Sequence, residues 1–240
     1  MNKVIWYQEF GFFSNPFSIK PAAFDNEMFG NVSVVPRIIK KIEERGIVFV
    51  SGDFGVGKTS VLKRIIGEFR GGSLGGRKVI YYNCNRSERS IDYDKLLVMS
   101  GGFFGRLFGT RKKGMMLLLD EMQDMNKGDL ERVKEYYDDG FFHSVVFVSR
   151  DDKVKLPKSL VKEINGNRFT LENMTGKEAV KMVRKRIGDL NFLGDEVILK
   201  IFGKDKNSRN FLKNCEDVCR IAFESGADFV DSEHVEKVLG

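Results

Sequence analysis

Residues 52–60 read GDFGVGKTS, preceded by the apolar run Ile47–Val50 and followed by the amphipathic stretch VLKRIIGEF. Strand, glycine loop, lysine and helix in that order make a phosphate-binding loop. Its glycines let the backbone curl, so that the N–H groups of Gly52, Asp53, Phe54, Gly55, Val56 and Gly57 turn inward on phosphate oxygens. Lys58, Thr59 and Ser60 open the helix, whose first turn adds its partial positive charge. In this pattern Lys58 reaches the β- and γ-phosphates and the Thr59 hydroxyl ligates Mg²⁺. A glycine-rich helix cap would not require Lys and Thr at those two places.

Hydrolysis needs a second element on a neighbouring strand, and residues 115–121, reading MMLLLDE, supply one. An apolar run that ends in two carboxylates is costly unless they meet a metal or water. Asp120 is expected in the metal's coordination sphere or just outside it, and Glu121 is expected to orient and polarise the attacking water.

Apolar runs of strand length recur at 47–50, 79–82, 115–119, 145–148 and 168–171, alternating with amphipathic segments at 34–44, 59–69 and 129–137. That alternation predicts a parallel sheet covered by helices on both faces, with ligand at the carboxyl ends of the strands, where Gly52, Asp120 and Ser149 fall. After Asn173 the strand pattern stops. Segments 176–187, 195–202, 208–225 and 232–239 read as helices, with Thr175 (Glu178 three residues on) and Ser232 as caps. The expected organisation is an α/β P-loop base over 1–173, including an N-terminal strap over 1–31, and a small all-α lid over 174–240.

The 240 residues, 42% of them apolar, suffice for a packed interior. Cys84, Cys215 and Cys219 form no disulfide framework, and the pair spaced by four reads as buried thiols. No run is long enough to span a bilayer, and MNKVIWYQEF lacks the regions of a signal peptide, so a cytoplasmic protein without membrane contact is expected. The net charge of +6 is uneven, because residues 61–114 hold twelve Lys or Arg against four Asp or Glu. Such a segment attracts a polyanion or is an ordinary solvated surface. Within it, SGGFFGRLFGTRKKG at 100–114 is the odd stretch. Arg106, Arg111, Lys112 and Lys113 would neutralise the phosphates of duplex DNA there, with Phe103, Phe104 or Phe108 wedging or stacking. The same phenylalanines would equally form a docking site for a protein, or a helix folded on the sheet.

The chain as a whole resembles an AAA+ ATPase, with the motifs in family order. FGFFSNPFSIKPAAF at 10–24 is similar to the opening of ExeA-type and MuB-type ATPases, and DEMQDM at 120–125 resembles their DE-A-Q-N-L pattern. A looser likeness extends to archaeal origin-recognition ATPases, which carry a winged-helix domain after the lid, whereas this sequence stops at the lid. The resemblance implies ATP and Mg²⁺ as ligands, self-assembly, and an ATP-driven switch on DNA or, in another class, a switch that docks a protein. It implies that Asn83 or Asn85 contacts Glu121, that Ser149 senses the γ-phosphate or water, and that Arg209 reaches the γ-phosphate from the lid. Pro16 and Phe17 would line the adenine pocket, although a strap packed on the core uses the same residues. The arginine finger departs from the pattern. Ahead of the last strand stand only Lys158 and Lys162, leaving Arg150, Arg168 or another protein's arginine, or slow hydrolysis.

Overall fold

The computed structural model describes residues 5–19, 28–70, 76–85, 90–100 and 111–240. They divide into two compact units. Residues 32–54 and 58–171 form an α/β unit, and residues 1–31, 55–57 and 172–240 form a helical one.

In the α/β unit β1 (Ile47–Ser51), β2 (Val79–Asn83), β3 (Met115–Asp120), β4 (Phe142–Ser149) and β5 (Arg168–Thr170) form one sheet in the order β2-β3-β4-β1-β5. Every pairing is parallel. The three inner strands carry near-continuous apolar runs because both their faces are covered, and every residue of β1 and β3 is buried. Along β1, Ile47 and Phe49 enter a cluster with Tyr93 and Leu97 of α4 (Tyr93–Ser100), Leu130 and Val133 of α5 (Lys127–Asp138), and Leu160 and Ile164 of α6 (Lys158–Ile164). The intervening Val48 and Val50, fully buried, point to the opposite face. There α2 (Val34–Glu43) lies against β1, β4 and α3 (Lys58–Arg70), burying Val35, Ile38 and Ile42 at helical spacing. Helix α5 begins at Asn126, whose side chain accepts from the Asp129 N–H. Asp129 itself is buried, and its carboxylate accepts the Ile91 N–H, a structural use of a buried charge.

The helical unit holds α1 (Trp6–Glu9), α7 (Gly176–Ile187), α8 (Asp195–Lys204), α9 (Ser208–Glu224) and α10 (Ser232–Leu239). Met182, Val183, Ile198, Ile201, Phe211 and Val218 lie in its core at helical spacing. Residues 5–19, expected as a strap on the α/β base, belong here instead. Trp6 and Phe17, 3% and 1% exposed, complete this core. Trp6 stacks on Phe17 with ring centroids 5.8 Å apart, and Phe10 lies 4.6 Å from Phe192. Arg186 of α7 fixes the segment by donating to the carbonyls of Pro16 and Ser18 at 2.9 and 3.0 Å. The physical reason is coverage: amphipathic helices need apolar partners, and the aromatic N-terminal segment supplies them.

The division after Leu171 differs from the expected one after Asn173 because Asn31 ties Glu172 to the helical unit. Its amide donates to the carbonyls of Glu172 and Val56 at 2.8 and 3.2 Å, and its Oδ1 accepts the Glu172 N–H at 2.9 Å. Helix α7 starts with the expected capping box between Thr175 and Glu178. Helix α10 is capped by Asp231 rather than Ser232. The Asp231 carboxylate accepts the N–H groups of Glu233 and His234 while its own backbone is extended, and the His234 ring completes the box. Cys215 and Cys219 lie on the inner face of α9, and burial pushes both thiols up. Among the described residues no helix is long and apolar enough to cross a membrane.

Candidate functional site

The glycine loop leaves β1 at Ser51 and enters α3 at Lys58. Gly55 and Gly57 have φ of +86° and +101°, values that L side chains rarely adopt. The tip of the loop is tied down within the helical unit, where the Ser208 hydroxyl donates to the Gly55 carbonyl at 2.5 Å. Arg209 follows at once in the first turn of α9, its N–H donating to the side chain of the N-cap Asn207 at 3.0 Å. Lys58 is buried, and its ammonium donates to the carbonyls of Gly52 and Asp53 at 2.6 and 2.8 Å. Burial lowers its pKa, opposed by Glu121 and assisted by Arg150. Thr59 and Ser60 are exposed in the first turn of α3, as are Asp53 and Phe54 in the loop, while Val56 is buried.

The parallel register sets Asn83 opposite Asp120 and Ser51 opposite Ser149, so the ends of four strands lie together. Asp120 is 6% exposed. Its Oδ2 accepts the Tyr81 hydroxyl and its Oδ1 the Glu121 N–H, both at 3.0 Å. Burial raises its pKa, and the Tyr81 hydrogen bond opposes that rise. The all-oxygen set of Asp120 and the Thr59 hydroxyl suits Mg²⁺, a hard cation that retains several waters.

Glu121 lies beyond the strand end with φ 56° and ψ 42°, the left-handed region, an uncommon conformation for a residue with a side chain. Its Oε2 accepts Arg150 Nε at 2.8 Å and Gln123 Nε2 at 2.7 Å, while Oε1 accepts Arg150 Nη2 at 3.1 Å. Burial pushes its pKa up, but these hydrogen bonds outweigh burial and hold it below the usual carboxylate value. Gln123 reaches across to β4, where its Oε1 accepts the Ser149 hydroxyl and the Arg150 N–H, each at 3.3 Å.

Lys58, Asp120, Glu121 and Ser149 therefore lie together at the carboxyl ends of the strands. The expected contact of Asn83 or Asn85 with Glu121 is replaced. Asn83 Oδ1 accepts the Asn85 N–H at 2.9 Å, and among the described residues the partners of the Glu121 carboxylate are Arg150 and Gln123. Phe17, expected beside adenine, has its ring buried on Trp6, and Pro16 is buried next to it. Of the arginines considered as fingers, Arg150 faces Glu121. Arg168 lies 4.7 Å over the Phe49 ring and donates to the Asp152 carbonyl at 3.3 Å. Sequence reasoning missed Tyr81 and the Gln123 link. Tyr81 shares a strand face with Asn83, the partner of Asp120, and the alternation of β2 would have exposed it.

In the basic segment Arg106, Phe103, Phe104 and Phe108 lie outside the described residues. Arg111 pairs with Asp94 at 2.6 Å and Lys113 donates to the Asp139 carbonyl at 2.9 Å, both cations lying over the Phe141 ring. Lys112 is exposed.

Compared by sequence, the chain matches no family model and no curated protein. Compared by structure, it is similar to a chain of Drosophila ORC solved bound to DNA, with a TM-score of 0.71 and 16% identity over 100% of this chain and 66% of that one. Cdc6p from Pyrobaculum aerophilum matches with a TM-score of 0.67 and 14% identity, over 93% of this chain and 70% of that one. A RuvB variant of Thermotoga maritima matches at 0.61 and 17%, over 88% and 68%. Likeness at these identities is likeness of fold. The chain shares with them an α/β P-loop fold followed by a helical C-terminal part, in agreement with the fold its motifs imply.

Proposed function

We propose that this chain binds Mg-ATP on the loop 52–60 and hydrolyses it to ADP and phosphate, as a self-assembling, DNA-associated switch that controls a partner. The observation that carries the catalytic part is the grouping of Lys58, Asp120, Glu121 and Ser149 at the carboxyl ends of β1, β3 and β4, where ligands of such sheets bind. Lys58 exchanges the Gly52 and Asp53 carbonyls for phosphate oxygens, a stronger, charge-assisted pairing. Thr59 and Asp120 would hold Mg²⁺, which when bound neutralises charge on the phosphates. The Glu121 carboxylate orients water and draws its proton as the water attacks the γ-phosphorus, and the Ser149 hydroxyl donates to the same water or to a γ-phosphate oxygen. Arg209, one residue from the Ser208 that binds the loop tip, is the arginine to which the resemblance assigns the γ-phosphate contact.

Lys58→Ala is expected to abolish ATP binding, read by fluorescence of an ATP analogue. Glu121→Gln should retain binding and lower kcat by about 10²–10⁴; normal turnover in that variant removes Glu121 from its role. The DNA part is supported by the basic surplus over 61–114 and by the DNA-bound state in which the Drosophila ORC neighbour was solved. Reversing Arg111, Lys112 and Lys113 to Glu should weaken duplex binding and flatten its salt dependence by up to about three counterions. Unchanged binding would leave a protein-docking switch as the reading.

A further inference from the structure

Glu121 is held in a way that conflicts with its proposed chemistry. A carboxylate that activates water must offer an oxygen to that water and keep enough basicity to attract its proton. Here Oε2 accepts two donors and Oε1 a third, and the Arg150 guanidinium closes over both oxygens side-on at 2.8 and 3.1 Å. Glu121 is mostly enclosed, with a side chain 17% exposed, while that of Arg150 is 48% exposed. The arginine is therefore the partner that can swing away. It has a second foothold on the glycine loop, its guanidinium carbon lying 5.8 Å from the centre of the Phe54 ring. It is also among the charges that act on Lys58, so it stands in the field of the phosphate site.

We propose that Arg150 is a positioning residue that locks Glu121, and that the lock opens when the terminal phosphate of bound ATP draws the guanidinium from the carboxylate. The inference rests on the proposed ATPase reading and names a regulator of that same site. Carboxylate and phosphate compete for one planar fork; two hydrogen bonds hold it on Glu121, and the terminal phosphate, when bound, draws it away in a minor fraction of the molecules. Gln123 remains on Glu121 and ties it to Ser149 and the Arg150 backbone, so opening leaves the carboxylate placed. Phe54 offers the departing guanidinium a surface within the loop that the phosphate occupies. The strained backbone of Glu121 at φ 56° fits a side chain held for a switch.

The test compares Arg150→Ala, Arg150→Lys and Arg150→Ala/Glu121→Gln with the wild-type chain in steady-state ATP hydrolysis and in binding of a fluorescent ATP analogue. If the open state is populated to about 10% with ATP bound, Arg150→Ala should raise kcat about tenfold, with analogue affinity within about twofold because the phosphate contact of Arg150 forms only in that minor fraction. Arg150→Lys, which keeps the charge and loses the fork, should fall between them, and Glu121→Gln should abolish the gain. In the absence of ATP, the thermal shifts of Arg150→Ala and Glu121→Gln should be non-additive, because each removes the same pair. Unchanged or reduced kcat in a folded Arg150→Ala that binds the analogue overturns the lock, a reduction placing Arg150 on the transferring phosphate. In that case wild-type turnover abolished by Lys58→Ala and Glu121→Gln keeps the ATPase reading intact. A wild-type chain that fails to bind the analogue overturns that reading and the lock with it.

Discussion

In the α/β unit the residues that form the core follow one another along short runs: Ile47–Ser51, Met115–Asp120 and Phe142–Ser149 each cross the sheet and fill both faces. In the helical unit α7, α8, α9 and α10 leave their core incomplete until Trp6 and Phe17 are added from the other end of the chain. Arg186 and Pro16, which fix that closure, stand 170 positions apart. One core joins residues from Ile47 to Ile164, the other residues from Trp6 to Val235, near both ends of the sequence. The lesson is that two units of one chain can differ in how far their stability depends on distant segments.

Phe17→Ala should have the largest effect and the sharpest bearing on this contrast. Its ring is 1% exposed, so the loss is expected at about 3–5 kcal/mol. Trp6 is the only tryptophan and stacks on Phe17, so its emission reports the helical unit. That transition should fall well below the main far-ultraviolet circular dichroism transition. A single coincident transition would break the comparison by making the units one cooperative system. Leu117→Ala, in fully buried β3 between β2 and β4, should cost about 2–5 kcal/mol. The circular dichroism transition should then move more than the Trp6 emission.

Gly55→Ala probes the loop tip that groups with the helical unit. At φ +86° a side chain adds roughly 1–2 kcal/mol of backbone strain. The new Cβ would also clash with the side-chain amide of Asn207. Analogue affinity should fall, and adding Asn207→Ala should relieve the clash while the backbone strain persists; full recovery would show that strain does not matter here. Thr175→Ala is expected to be the mildest, removing one half of the capping box at about 1 kcal/mol. It should shift Trp6 emission alone.

Most of the α/β architecture was legible because its signals are short-ranged. Apolar runs of four to six residues require burial on both faces, and the glycine-lysine pattern between β1 and α3 specifies a backbone shape. The carboxylate pair was legible for the same reason: charge at the end of an apolar strand must meet something polar. The Thr175 capping box was readable, whereas at α10 the cap fell one residue earlier, on Asp231, whose extended backbone frees its carboxylate for the first-turn N–H groups. Residues 5–19 were not legible, because an aromatic-rich segment carries no label for which of two apolar surfaces it covers.

Sequence by itself determined the parallel sheet, the phosphate-binding loop, the position of Asp120 and Glu121 at a strand end, and a helical region after the last strand. Tertiary structure alone decided that Phe17 fills a core, that Tyr81 satisfies Asp120, and that Arg150, from a strand two positions from β2 in the sheet, holds Glu121 in place of Asn83. The reason is range. Periodicity, glycine φ and capping act within a few residues, while the partners of Asp120 and Glu121, 39 and 29 positions away, are set by strand order and register, and the surface that Phe17 covers by helix packing, which no local pattern encodes.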